Sequence, residues 1–146
     1  LRMEEDVMVK NPNTLVIWVG VNDVWHKRSF GTGTDADKFE KFYTAIIKKF
    51  QAKKIKVFLC TPAANEEKTD FSNELDGDLN KYSGIIREIA GKNNCGLIDL
   101  RKTFLSYNLA HNTGNKEKGI LTNDGVHLNE KGNQLVAEEM MKALVR

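Results

Sequence analysis

The sequence lacks the features that are typical of disulfide-bonded, membrane-spanning and nucleic-acid-binding proteins. Its 146 residues include only two cysteines, Cys60 and Cys95, whose positions fit neither a metal site nor a disulfide framework. No apolar run approaches the ~20 residues that a membrane-spanning helix needs. The net charge of +2 is too small to indicate a nucleic-acid partner. We therefore expect no membrane span and no nucleic-acid partner.

Metal and cofactor sites are not expected either. His26 and His111 have no partner at the spacing of metal ligands. The G-x-G-x-x-A match at 31–36 does not directly follow a predicted strand, as a dinucleotide site requires. Hydrophobic residues make up 40% of the chain and charged residues 29%, as in ordinary globular proteins. We expect one domain over residues 1–146, long enough to bury a core without disulfides.

Strands and helices alternate in the predicted structure. Apolar runs rich in β-branched residues predict strands at 15–19, 55–60 and 96–100. Apolar residues three and four apart predict helices at 35–52, 75–93, 102–111 and 130–145. Residues 1–10 are predicted to end a helix that contacts the core through Leu1, Val7 and Met8, and polar loops are predicted at 20–34, 61–74 and 112–123. The alternation predicts a parallel sheet within a three-layer α/β/α sandwich.

The tetrapeptide Asp124-Gly125-Val126-His127 is the clearest candidate for chemistry. It places a carboxylate and an imidazole three residues apart, with a glycine that lets the chain turn between them. A carboxylate beside a histidine fixes the tautomer of the ring and stabilises its protonated form, as the base of an acyl-transfer site requires. The alternative is that Asp124 merely caps a turn and His127 is an ordinary loop residue.

Other polar residues are predicted at the carboxyl ends of the strands, where parallel sheets place their sites. Asn22 and Asp23 follow the first strand, Thr61 the second, and Asp99 ends the third. Cys60 lies there too and is a rival nucleophile, but a small buried hydrophobe is the interpretation we favour. Cys95 is predicted at the opposite end of the sheet, too far away for a disulfide with Cys60.

Two motifs together resemble one family. Gly20-Val21-Asn22-Asp23 is similar to the G-x-N-D block of the SGNH (GDSL-type) esterases and acylhydrolases, and residues 124–127 are similar to their C-terminal D-x-x-H block. The motifs occur in the family's order, with α/β alternation between them. The resemblance extends from about residue 12 to the end of the chain. It implies a flavodoxin-like α/β/α fold and ester hydrolysis.

The resemblance also implies a role for each matched residue. His127 would be the general base, Asp124 the carboxylate that orients it, and Asn22 a side-chain donor to the oxyanion. Gly20 would be the small residue that keeps the strand end open to substrate. Asp23 is expected to tie down its loop. Trp25 is equally compatible with forming a wall of the substrate pocket and with packing against the loop.

The family's nucleophile has no counterpart in this sequence. It is a serine in a Gly-Asp-Ser motif after the first strand of the family fold, and none of the four serines here follows Gly-Asp: Ser29, Ser72, Ser83 and Ser106. We expect the chain to match the fold without its N-terminal strands, because the front segment is missing or, alternatively, because the protein is a degenerate relative. Strand 15–19 would then have an open edge, which we expect a missing segment or another chain to cover.

Two functions are consistent with these observations. The first is a hydrolase of small acyl esters, with acetyl groups on carbohydrates among the candidates, in which the serine lies outside this chain. The second is a non-catalytic module of the same fold that binds a carbohydrate or another ligand. Residues upstream of Leu1 would distinguish them by containing or lacking Gly-Asp-Ser. The sequence leaves cellular localisation open.

Overall fold

A parallel sheet of three strands lies at the centre of the fold. The computed structural model describes residues 2–145, so Leu1, a predicted core contact, lies outside the described residues. The strands are β1 (Thr14–Trp18), β2 (Lys56–Cys60) and β3 (Gly96–Ile98), in the spatial order β1-β2-β3. Val16 of β1 lies opposite Phe58 of β2, and Phe58 lies opposite Gly96 of β3.

Six α-helices lie within the described residues. They are α1 (Met3–Asp6), α2 (Val21–Phe30), α3 (Ala36–Ala52), α4 (Asp76–Lys92), α5 (Leu100–His111) and α6 (Glu130–Leu144). A 3₁₀ turn at Met8–Lys10 follows α1. Val7 and Met8 pack against the core, as predicted. None of the helices in residues 2–145 is long and apolar enough to cross a membrane.

The core occupies both faces of the sheet, as the predicted three-layer α/β/α sandwich requires. Alternate side chains of a strand point to opposite faces. Val57 and Leu59 accordingly pack with the buried stripes of α3 and α4, whereas Phe58 and Cys60 pack with buried residues of α5 and α6. The buried stripes of α3 and α4 were predictable from the sequence, because each helix buries one face and its apolar residues recur three and four apart.

The prediction of a loop throughout residues 20–34 was wrong. Helix α2 occupies Val21–Phe30 and buries only Val24, so its sequence carries almost no apolar stripe. Glycines bound the helix. Gly20 has a φ of +115° and Gly31 a φ of +67°, and the N–H of Gly31 bonds to the carbonyl of Lys27.

The third strand is shorter and the next helix longer than predicted. The strand ends at Ile98, and α5 begins at Leu100 because Asp99 caps it, accepting a hydrogen bond from the N–H of Lys102 at 3.3 Å. Asp99 also binds Arg87, with Nε–Oδ2 at 2.8 Å and Nη2–Oδ1 at 2.9 Å, and accepts from the hydroxyl of Thr61 at 3.0 Å. Asp99 is therefore engaged in holding α4, β2 and α5 together.

Cys60 is buried in the core and is not activated as a nucleophile. Both cysteines are free thiols. Burial raises the pKa of the Cys60 thiol to about 12, so the reactive thiolate is scarce at neutral pH. The interpretation of Cys60 as a small buried hydrophobe is confirmed.

Candidate active site

Asp124 and His127 form a hydrogen-bonded pair. His127 Nδ1 lies 2.7 Å from Asp124 Oδ2. The other carboxylate oxygen, Oδ1, accepts from the backbone N–H groups of Val126 at 3.0 Å and His127 at 2.8 Å. The turn favours Gly125, which has a φ of +100°, and a Cβ at this position would lie only 3.2 Å from the backbone nitrogen of Glu66. The two candidate residues predicted from spacing are thus in direct contact.

The surroundings of Asp124 keep it ionised. The hydrogen bond from the His127 ring, followed by those from the N–H groups of His127 and Val126, holds the pKa of this carboxyl well below its usual range. An ionised carboxylate can only accept, so the hydrogen between the two side chains resides on Nδ1 of His127. In the neutral ring Nε2 is then left with a lone pair, able to take a proton.

The pair lies on the surface of the described chain. The side chains of His127 and Asp124 are 68% and 50% exposed. Side chains this exposed are not fixed by core packing, so their position depends on the backbone of the loop that carries them. That loop is closed by an antiparallel bridge between Thr122 and Leu128 and by the N–H of Asn123, which donates to the carbonyl of His127 at 2.8 Å.

Helix α2 places Trp25 beside the histidine. The ring centroids of Trp25 and His127 are 6.1 Å apart, with the planes inclined at 76° in an edge-on arrangement. Asn22 lies three residues earlier in the same helix and is exposed. Residues three apart share a helix face, so Asn22 and Trp25 lie on the same side of α2. Through Trp25, the helix that carries Asn22 therefore lies alongside the loop that carries His127.

Gly20 fixes where α2 begins. It is buried, and a Cβ at this position would lie 3.2 Å from Cγ of Pro62 and 3.5 Å from Cζ of Phe39. Its φ of +115° also disfavours any residue with a side chain. A larger residue would separate the end of β1 from the loop after β2. Gly20 therefore acts on the shape of the site through the backbone.

Asp23 ties down the segment that follows α2. Its Oδ1 accepts a hydrogen bond from the N–H of Thr34 at 3.1 Å. This is the structural role predicted for Asp23.

Glu67 supports the His127 loop and was missed by the sequence analysis. It is 2% exposed, and its carboxylate accepts from the N–H groups of Ile120, Leu121 and Thr122. These partners are more than fifty positions away in the sequence. No spacing rule could have found them, because glutamates in a polar loop are ordinary.

None of the four serines forms a hydrogen bond with His127 in the described part of the chain. Ser29 and Ser106 lie within α2 and α5, and Ser83 is buried in α4, where its hydroxyl donates to the carbonyl of Leu79 at 2.8 Å. Ser72 lies in the loop before α4, where its backbone N–H donates to Oδ1 of Asp70 at 3.0 Å. Among residues 2–145 there is also no group of three histidine, cysteine or acidic side chains suited to a metal ion.

Comparison with known proteins identifies related structures. The family model described as GDSL-like lipase/acylhydrolase matches residues 1–135. The crystal structure of an acetyl xylan esterase, AlAXEase, is 65% identical over 98% of this chain and 72% of its own, with a TM-score of 0.97. No curated protein sequence matches the chain significantly.

More distant structures share the fold. A catalytic mutant of Axe2, an acetylxylan esterase from Geobacillus stearothermophilus, is 20% identical, with a TM-score of 0.84 over 97% of this chain and 64% of its own. LAE5, an alpha/beta hydrolase from the metagenome of Lake Arreo, Spain, is 22% identical, with the same TM-score and coverage. The chain thus spans less than two thirds of these two proteins. The predicted SGNH-type α/β fold is confirmed.

Proposed function

The chain belongs to the GDSL-like lipase/acylhydrolase family, and on that premise we propose that the whole protein hydrolyses small acyl esters, with acetyl esters of carbohydrates as the preferred class. The observation that carries the proposal is the 2.7 Å hydrogen bond between His127 and Asp124, with Nε2 of His127 available as a base. The 65% identity to an acetyl xylan esterase supports the acetyl group and the carbohydrate.

In the proposed reaction, a serine outside this chain attacks the ester carbonyl. Nε2 of His127 takes the serine proton as the bond to the carbonyl carbon forms, and Asp124 stabilises the resulting imidazolium. The side-chain N–H of Asn22 donates to the oxyanion of the tetrahedral intermediate. The intermediate collapses as His127 returns the proton to the leaving alcohol. Water, activated by the same histidine, then releases the acid from the acyl-serine.

Two further residues shape the proposed pocket. Trp25 would form a wall against the bound ester, because its ring stands edge-on to His127 at the surface. Gly20 would keep the end of β1 open to substrate through the backbone, because a side chain at this position would press on Pro62 and displace the start of α2.

In this proposal the serine belongs to a segment that lies beside β1. We place this segment against the free edge of β1, which pairs only with β2 within residues 2–145. Its sequence would account for part of the related esterase that has no counterpart here, since this chain spans 72% of AlAXEase. Another chain at the same edge is the alternative.

The second candidate function is a non-catalytic module that binds a carbohydrate at the same surface. The observation that favours it is the absence of any serine bonded to His127 among the described residues. Such a module would bind acetylated oligosaccharides without hydrolysing them.

The test is hydrolysis of p-nitrophenyl acetate and acetylated xylo-oligosaccharides by the full-length protein, meaning this chain with any sequence that precedes it. We expect His127→Ala to lower kcat on the order of 10⁴-fold. His111→Ala is the matched control, since His111 lies at the end of α5 against Tyr107 and should leave kcat unchanged.

Two other results of this test would change the proposed function. Full activity of His127→Ala would remove His127 from the mechanism. A wild-type protein that binds the oligosaccharides but releases no acetate would establish the binding module instead.

A further inference from the structure

We infer that Glu67 is a positioning residue for the catalytic pair, acting through Thr122 on the turn that holds Asp124 and His127. The inference rests on the proposed function, because it assigns to that site a residue that does not touch the reacting atoms.

One short stretch of chain supplies the hydrogen bonds to the carboxylate of Glu67. Oε2 accepts from the N–H of Leu121 at 2.8 Å, and Oε1 accepts from the N–H groups of Thr122 at 2.9 Å and Ile120 at 3.3 Å. The hydroxyl of Thr122 donates to the same Oε1. Four donors from three consecutive residues therefore fix the segment that leads into the catalytic turn.

Thr122 carries this restraint into the turn itself. Its hydroxyl oxygen accepts from the N–H of Gly125 at 3.0 Å while its hydrogen is directed to Glu67. Gly125 directly follows Asp124. The hydrogen-bonded path from Glu67 to the catalytic carboxylate thus contains a single side chain, that of Thr122.

The backbone around Glu67 strengthens the same contact. The N–H of Glu66 donates to the carbonyl of Gly125 at 2.9 Å, and the N–H of Glu67 donates to the carbonyl of Glu117 at 2.8 Å. The side-chain amide of Asn112 donates to the carbonyl of Glu67 at 2.9 Å. Residues 66 and 67 therefore form hydrogen bonds with both ends of the loop that runs from 117 to 125.

Burying a carboxylate costs more free energy than burying an apolar side chain, because the carboxylate loses its hydration. Glu67 is 2% exposed and forms no salt bridge within residues 2–145, so hydrogen bonds alone compensate for its lost hydration. Such a group gives directional restraint that apolar packing cannot supply. The exposed catalytic pair, whose side chains are not held in the core, is where that restraint is needed.

The test replaces Thr122 in the full-length protein and compares it with a matched threonine. Thr61 is equally buried, and its hydroxyl also donates to a carboxylate, that of Asp99, and accepts from a backbone N–H, that of Arg101. Thr122→Val and Thr61→Val each remove one such hydroxyl at almost constant volume. Thr122→Ser keeps the hydroxyl and is the rescue variant.

We expect Thr122→Val to lower kcat on p-nitrophenyl acetate by about tenfold to hundredfold, with KM nearly unchanged, because small displacements of catalytic groups cost this much. Thr61→Val should keep its kcat, and Thr122→Ser should recover most of the wild-type value. Equal losses in the two valine variants, or no loss in Thr122→Val, would overturn the inference.

A second variant and a second measurement decide the matter if Thr122→Val does not fold or if the wild type lacks esterase activity. Glu67→Gln keeps the side-chain volume but turns an N–H donor towards the N–H groups it should accept from. The measurement is the NMR signal of the hydrogen-bonded Nδ1 proton of His127 in the full-length protein. This signal should disappear in Glu67→Gln and remain in Thr61→Val. Retention in both would overturn the inference, whereas absence of activity alone would refute only the proposed function.

Discussion

Asp124 uses its two carboxylate oxygens for different purposes. Oδ1 closes the turn by accepting from two backbone N–H groups, and Oδ2 orients the ring of His127. One residue therefore both closes the local backbone turn and orients the imidazole that we propose as the base.

The stability that Asp124 contributes should depend on pH with a definite sign. Hydrogen bonds from the His127 ring and from two backbone N–H groups lower its pKa in the folded chain. A carboxyl with a lowered folded pKa contributes fully above its unfolded pKa, about 4, and loses that contribution as pH falls through the folded pKa. The difference in the free energy of unfolding between the wild type and Asp124→Asn should therefore be larger at about pH 5 than at about pH 2, in urea titrations.

The background variant His127→Leu provides the control for that titration. It removes the main cause of the lowered pKa while changing an exposed side chain. In this background the effect of Asp124→Asn should be smaller, and it should disappear closer to pH 4, the ordinary range of a carboxyl. Identical pH profiles in both backgrounds would show that His127 does not stabilise the ionised form of Asp124.

At the scale of elements, a glycine lets α6 pack closely against the loop that leads to His127. Gly132 lies in the first turn of α6, and its N–H donates to the side chain of Asn129, the N-cap, at 2.9 Å. A Cβ on Gly132 would collide with the carbonyl oxygen of Leu121. By contrast, a Cβ on Gly84 of α4 would meet no atom within 4 Å.

The same substitution should therefore have opposite effects in these two helices. We expect Gly84→Ala to raise the free energy of unfolding by about 0.5–1 kcal/mol, because alanine lowers the entropy of the unfolded chain and favours helix. Gly132→Ala should lower it by about 1–3 kcal/mol, because the backbone of the loop must move. Thermal unfolding of both variants provides the measurement. A stabilised Gly132→Ala would mean that α6 can shift away from Leu121 at no cost.

The sequence predicted those helices in which buried residues recur with the helical period. The stripes of α3 and α4 predicted those helices to within a residue at either end. Helix α2 was missed because it buries a single residue, Val24, and its ends depend on glycines in left-handed conformations. Likewise the Asp124–His127 contact is local in sequence and was predictable, whereas the bonds to Glu67 connect distant segments that only the folded chain brings together.

At the scale of the whole molecule, an apolar surface runs along the free edge of the sheet. Ile17 and Val19, in and after β1, share a groove of about 180 Å³ with Phe42 and Ile46 of α3. Met3 joins Phe42 and Ile46 around an adjoining groove of about 350 Å³. Phe42 is 64% exposed in this chain, and Val19 is 44% exposed. An open strand edge beside such a surface favours pairing with further chain.

We therefore expect Phe42 to be buried in the full-length protein. Phe42→Lys should lower the free energy of unfolding of the full-length protein by about 2 kcal/mol, the value of burying one large apolar side chain, and should have little effect on the 146-residue chain. Leu109→Lys is the matched control, because Leu109 is 63% exposed on α5. It should be neutral in both proteins. Urea unfolding measures the difference.

Sedimentation velocity then identifies what covers Phe42. If the preceding segment of the same polypeptide lies there, the full-length protein should sediment as a monomer and still be destabilised by Phe42→Lys. If a second chain lies there, Phe42→Lys should dissociate a dimer. A monomeric full-length protein that tolerates Phe42→Lys without loss of stability would contradict the expectation. The edge of β1 would then be solvated, and the segment that carries the serine would have to approach His127 from another side of the molecule.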